Sequence, residues 1–162
     1  MKNKKPQTVT SNTIFIIGNI FGCGGNIISL KTNHDTYVEV QSDGKLGAYR
    51  TEFHTSSLFE VKQIGLNTIT LKSMDGRYVT ALGSTRHSDI IVSCVGQNNA
   101  TSLTVNKNGR WNEGEIGFQI ENGNFILTRN DGKVTISGND FKTFERFYPE
   151  CRGMFWLYVI YF

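Results

Sequence analysis

Ile69-Thr70-Leu71-Lys72-Ser73-Met74-Asp75-Gly76-Arg77-Tyr78-Val79-Thr80-Ala81 reads as two half-buried strands folded over a tight turn. Apolar Ile69 and Leu71 alternate with Thr70 and Lys72, the period-two pattern of a strand with one wet face. Asp75-Gly76 tolerates positive φ and closes the hairpin. The unit recurs on both sides. Ile28-Ser29-Leu30-Lys31-Thr32 opens an earlier copy and Ile116-Gly117-Phe118-Gln119-Ile120 a later one. Each opening runs into a turn and an aromatic: His34-Asp35-Thr36-Tyr37, Asp75-Gly76-Arg77-Tyr78 and Asn122-Gly123-Asn124-Phe125.

A second hairpin follows in each copy. It is tight at Ser42-Asp43-Gly44-Lys45-Leu46 and at Asn130-Asp131-Gly132-Lys133-Val134. In the middle copy it is stretched over Gly83–Asp89 before Ile90-Ile91-Val92. An alternating apolar strand closes each copy, read here at Leu58–Val61, Ser102–Val105 and Trp156–Val159. The aromatic run Phe155–Phe162 is thus the expected last strand, and truncating it is expected to unfold the domain.

Each copy supplies four strands and exposes an apolar face, so none can fold alone. Three copies around a pseudo-threefold axis give twelve strands that close on one another, remove free edges and bury one core. The expected fold is all-β, a β-trefoil of three four-stranded repeats. A three-bladed propeller would fit the repeat length, but propellers usually have four or more blades. Leu30, Leu71 and Phe118 are expected to form one core layer, and Tyr37, Tyr78 and Phe125 another. The boundaries read as an N-terminal tail or extra strand over 1–25 and a single domain over 26–162. Its repeats span about 27–67, 68–114 and 115–162.

Composition agrees. The 162 residues suit one domain. Gly is high at 17, Pro low at 2, and 38 % of residues are hydrophobic, enough for a core. The net charge of +3 resides in Lys2, Lys4 and Lys5, leaving a body near neutrality. A nucleic-acid binder usually carries a dense basic stripe on the domain itself, so none is expected as partner.

Cys23, Cys94 and Cys151 cannot all pair within one chain. None has metal-ligand spacing. They read as reduced, mostly buried thiols of a cytoplasmic protein, with one disulfide plus one free thiol the alternative for an exported one. Ile14–Phe21 is too short to span a bilayer and weak as a signal peptide, because Pro6–Thr13 interrupts it. Ile20-Phe21-Gly22-Cys23 superficially resembles a lipoprotein cleavage site, which would make the chain lipid-anchored. The plain alternative is an extra strand over Thr13–Ile20 that covers part of the barrel.

From Asn26 onward the chain resembles the fascin-like, actin-crosslinking group of β-trefoils, which includes the hisactophilins. The Ile69–Ala81 strand pair is similar to that group's L-K-S-x-x-G-R-Y-L-x-A element. Asn108-Gly109-Arg110-Trp111 resembles its D-G-R-W, and Ser57–Val61 its closing strand. The resemblance implies a cytoskeletal module that binds or crosslinks filamentous actin. Ricin-type lectins share the architecture but carry Gln-x-Trp in each copy, a triplet absent here.

No catalytic constellation is legible: no HExxH, GxSxG or phosphate loop occurs, and His34, His54 and His87 are scattered. No catalytic residue, metal or cofactor is assigned. The expected role is binding by loops. The candidates are Lys31 and Lys72 at equivalent strand positions, Lys45, Arg77 and Lys133 in turns, and Trp111. Basic loops would favour encounter with an acidic filament. The alternative is a carbohydrate-binding, lectin-like trefoil in which Tyr49, Trp111 or Tyr148 stacks on a sugar ring. A secreted growth-factor or cytokine-like ligand is a further alternative. Asn99-Ala100-Thr101 would accept an N-glycan if the chain were secreted.

Overall fold

The computed structural model describes residues 19–94, 96, 99–107 and 114–153. The first copy comprises β1 (Ile27–Thr32), β2 (Tyr37–Val40), β3 (Leu46–Arg50) and β4 (Phe59–Gln63). The second comprises β5 (Thr68–Ser73), β6 (Tyr78–Ala81), β7 (Ile90–Ser93) and β8 (Leu103–Asn106). The third comprises β9 (Gly117–Gln119), β10 (Ile126–Thr128), β11 (Val134–Ile136) and β12 (Phe147–Gly153).

Opening and closing strands of each copy pair antiparallel, placing Ile28 opposite Phe59, Ile69 opposite Leu103 and Ile116 opposite Phe147. Neighbouring copies join through β4–β5, β8–β9 and β12–β1, so the barrel closes on itself. The three remaining hairpins meet around the axis. Their backbones are tied by threefold-related hydrogen bonds: Val92 N to Gly44 O, Ala48 N to Gly132 O, and Ile136 N to Ser88 O.

Period-two alternation puts equivalent residues into shared layers. Leu30, Leu71 and Phe118 are all buried, as are Val38, Val79 and Ile126. They surround a void of about 20 Å³ with a wholly apolar lining, which offers a water molecule no hydrogen bond. Tyr37 and Phe125 are buried as expected, whereas Tyr78 is only partly covered. The left-handed position of each first turn is also equivalent: Asp35 at φ 62°, Gly76 at 90° and Gly123 at 92°.

Three expectations are corrected. The closing strand of the third copy is Phe147–Gly153, not Trp156–Val159. Pro149, which lacks an N–H, and the charged Glu150 mask the strand pattern there, yet Pro149 pairs in register with Leu30. Phe155–Phe162 lies outside the described residues.

Second, Asn19–Phe21 forms a 3-10 turn rather than the end of a strand; residues 13–18 lie outside the described set. The turn still covers the barrel, for Ile20 joins the core and Phe21 meets Phe118 edge-on at 6.4 Å.

Third, the thiols are not all reduced and buried. Cys23 and Cys151 form a disulfide that ties the segment before β1 to β12, and Cys94 is free and exposed. Closing a loop of 128 residues removes much denatured-state entropy. Among the described residues no helix is long and apolar enough to cross a membrane.

Candidate functional site

The first hollow forms where β3 leaves the axis. Tyr49 lies on β3 with its ring across two glycines, Gly47 of its own strand and Gly132 in the tight hairpin of the third copy. A methyl group added at either glycine would collide with the ring. Gly132 is doubly required, because its φ of 91° is strained for any side chain. The ring nonetheless stays 51 % exposed, a flat apolar face open to solvent.

Arg50, Thr51, Glu52 and His54 complete this hollow of about 280 Å³. One wall is rigid. Arg50 donates from Nε and Nη2 to the two carboxylate oxygens of Glu39 at 2.9 and 2.7 Å, and Ser56 donates to the same carboxylate at 2.7 Å. The Arg50 hydrogen bonds hold the Glu39 carboxyl below the usual range despite burial, which acts the other way.

The second hollow is a groove of about 960 Å³ at the seam between the second and third copies. Its apolar floor is Ala100 and Ile120, both buried, with partly buried Ala81 beside them. Its walls are polar: Ser84, Thr101, Ser102, Thr104, Glu121 and Asn122.

The sequence-predicted cations are not gathered into one patch. Lys31 sits 5.4 Å above the Tyr37 ring and 3.8 Å from Glu150, and Lys72 repeats this with Tyr78 at 5.6 Å and Glu60 at 3.6 Å. Lys45 pairs with Asp89 at 3.2 Å. Arg77 grips Asp75 of its own turn through Nε and Nη2 at 3.0 and 2.7 Å. That guanidinium, with the Ser73 hydroxyl, holds the Asp75 carboxyl at about 2. Lys133 is exposed and pairs across to Gly47, beneath Tyr49. Trp111 lies outside the described residues. Tyr148 is half-buried and donates its hydroxyl to Glu115 at 3.0 Å, leaving Tyr49 as the more accessible of the two described aromatics.

Sequence reasoning missed the seam groove. Its signals were the stretched Gly83–Asp89 loop and small Ala100 where the third copy has Phe144. Among the described residues no group of three His, Cys, Asp or Glu is arranged to hold a metal.

No family model matches the chain, and no curated protein matches it either. Solved structures do. ThreeFoil, a designed threefold-symmetric protein, aligns at a TM-score of 0.65 with 12 % identity, over 76 % of this chain and 96 % of its own. This chain is a β-trefoil. A Macrolepiota procera ricin B-like lectin in complex with lactose aligns at 0.66 with 11 % identity, over 79 % of this chain and 96 % of the lectin. The Polyporus squamosus lectin bound to Neu5Aca2-6Galb1-4GlcNAc aligns at 0.65 with 16 % identity, over 78 % of this chain and 49 % of that one. At these identities the likeness establishes the fold alone. The fascin-like resemblance gains no support from these neighbours.

Proposed function

We propose that this β-trefoil is a non-catalytic carbohydrate-binding protein that stacks a sugar ring on Tyr49. The observation that carries the reading is the exposed Tyr49 ring on its shelf of Gly47 and Gly132. An aromatic face binds the C–H face of a sugar, and a rigid ring loses little entropy on binding. Arg50, Glu52 and His54 supply donors and acceptors around the rim for ring hydroxyls. Support comes also from neighbours that carry sugars, the Polyporus and Macrolepiota lectins and SeviL bound to asialo-GM1 saccharide.

Filament binding through basic loops is disfavoured. Of the five described candidate cations, Lys31, Lys45, Lys72 and Arg77 are engaged by carboxylates of the same chain. Co-sedimentation with actin filaments is expected to leave the protein in the supernatant.

The reading includes export. A structural disulfide persists in oxidising compartments, and Cys23 cannot carry a thioether-linked lipid while its Sγ is bonded to Cys151. Mass spectrometry of the protein from its native cells under non-reducing conditions should find that bond; two free thiols there would return the protein to the cytoplasm.

The decisive test is binding to immobilised glycans, wild type beside Tyr49→Ala. At least one glycan should bind saturably, and the substitution should weaken it tenfold or more with the melting temperature unchanged. Silence from the wild type, or equal binding of every glycan by the variant, would overturn the reading.

A further inference from the structure

The three seams between copies are built on one plan but closed differently. Aligning Phe59, Leu103 and Phe147, which pair with the opening strands of their copies, makes Ser56, Ala100 and Phe144 equivalent. The matching turn residues on the next copy are Asp75, Asn122 and His34. At the seam between the third and first copies, the Phe144 ring lies on His34 with centroids 5.2 Å apart. At the seam between the first and second, Ser56 turns to Glu39, and the nearby hollow at Lys72 and Tyr78 is only about 150 Å³. Only at the seam between the second and third copies does a small Ala100 face Asn122, and there the groove of about 960 Å³ opens.

The groove is braced. Asn122 and Asn124, from the third copy, each donate a side-chain N–H to Ser84 O of the second copy at 3.0 Å. This fixes the stretched loop as a wall. Below it, Ala81 N donates to Thr101 Oγ1 at 2.8 Å. The hydroxyls of Ser102 and Thr104 and the Glu121 carboxylate, all exposed, have no hydrogen bond or ion pair with other described residues. They face the opening. Among the described residues no lysine, arginine or histidine lines it.

We infer that this seam is a second ligand site, for an uncharged oligosaccharide laid along the groove. The inference rests on the carbohydrate reading above but uses none of the Tyr49 residues. Hydroxyls and a carboxylate pair with neutral hydroxyl-bearing rings, and a carboxylate accepts from two adjacent hydroxyls at once. The same carboxylate, with no cation among the described lining residues, repels sialylated or sulfated chains. The apolar floor accepts the C–H faces of the rings. With the Tyr49 shelf in the first copy, one chain would hold two glycans and gain avidity on a glycan-coated surface.

The test uses immobilised neutral oligosaccharides (galactosyl, mannosyl, glucosyl and N-acetylglucosaminyl) and their sialylated or sulfated counterparts. Four proteins are compared: wild type, Tyr49→Ala, and Tyr49→Ala combined either with Ala100→Phe and Asn122→His or with Thr104→Trp. The first combination copies the closed seam into the open one. The second fills the groove from an exposed strand position and keeps the test valid if the first fails to fold, which melting curves will reveal. Tyr49→Ala alone should retain a neutral glycan, and a folded filled variant should lose it tenfold or more. Loss of all binding in Tyr49→Ala would overturn the second site and leave the shelf standing. Retention through both fillings, or no neutral glycan bound by wild type, would overturn it as well; in the latter case, Tyr49-dependent binding of a charged glycan would leave the shelf reading intact.

Discussion

The second hairpins of the first and middle copies occupy the same place in the repeat and are held in opposite ways. The tight one supports itself. Lys45 N donates to Asp43 Oδ1 at 3.0 Å and Gly44 takes φ 84°, and the third copy repeats this with Lys133, Asp131 and Gly132. The stretched Gly83–Asp89 loop is held largely from outside, by Asn122 and Asn124 on Ser84 O and by His87 N on Ile136 O. A short turn whose residues fit its dihedrals needs no neighbour, whereas a long loop must find tertiary partners for its backbone polar groups. The short turn presents a rigid shelf and the long loop a groove wall.

Exchanging glycines attacks this contrast most strongly. Gly132→Ala would combine a positive φ with a collision against Tyr49 and a close approach to Ala48 O at 3.2 Å. It is expected to destabilise by about 2–4 kcal/mol in urea titration. Gly83→Ala meets only the Ser88 hydroxyl at 2.8 Å, the end of a movable side chain, and has no positive φ. Its cost should be below about 1 kcal/mol. Equal costs would mean that the two loops are held alike.

Removing the outside support is the next test. Asn122→Ala with Asn124→Ala should cost about 1–2 kcal/mol and speed amide exchange in the stretched loop, leaving Gly44 and Lys45 unchanged. The reciprocal pair, Asp43→Ala and Asp131→Ala, should each cost about 0.5–1.5 kcal/mol and leave exchange at His87 and Ser88 unaltered. Crossed effects between the two loops would break the distinction between local and tertiary support.

The smallest effect expected is a pH dependence confined to one turn. Asp75, at about 2, lies below its ordinary value of 3.8. The folded state favours its charged form, so its stabilisation is complete above the ordinary value and is lost as pH falls through about 2. Asn122 holds the equivalent place in the third copy and cannot titrate. Amide shifts around Arg77 should move between pH 4 and about 2 while those around Asn124 hold still, and Asp75→Asn should abolish the difference.

The candidate site was less legible in the sequence than the fold. Lys31 and Lys72 were visible as equivalent positions, but the carboxylates that engage them belong to the preceding copy, Glu150 on β12 and Glu60 on β4. Tyr49 could be named as an aromatic near a turn; that Gly132, from another copy, would lie beneath it could not. The groove was hidden for the same reason, since Ala100 and Asn122 gain meaning only when a seam brings them together.

By itself the sequence determined the repeat, the turns and the core layers. Period-two alternation and Asp-Gly or Asn-Gly chemistry act over a few residues, and each copy restates them. The tertiary structure decided which cysteines joined, which strand closed the third copy, which cations were neutralised and which seam stayed open. Apart from Arg77, which pairs with Asp75 of its own turn, each of these depends on residues far apart in sequence meeting in the fold, at distances that no local pattern encodes.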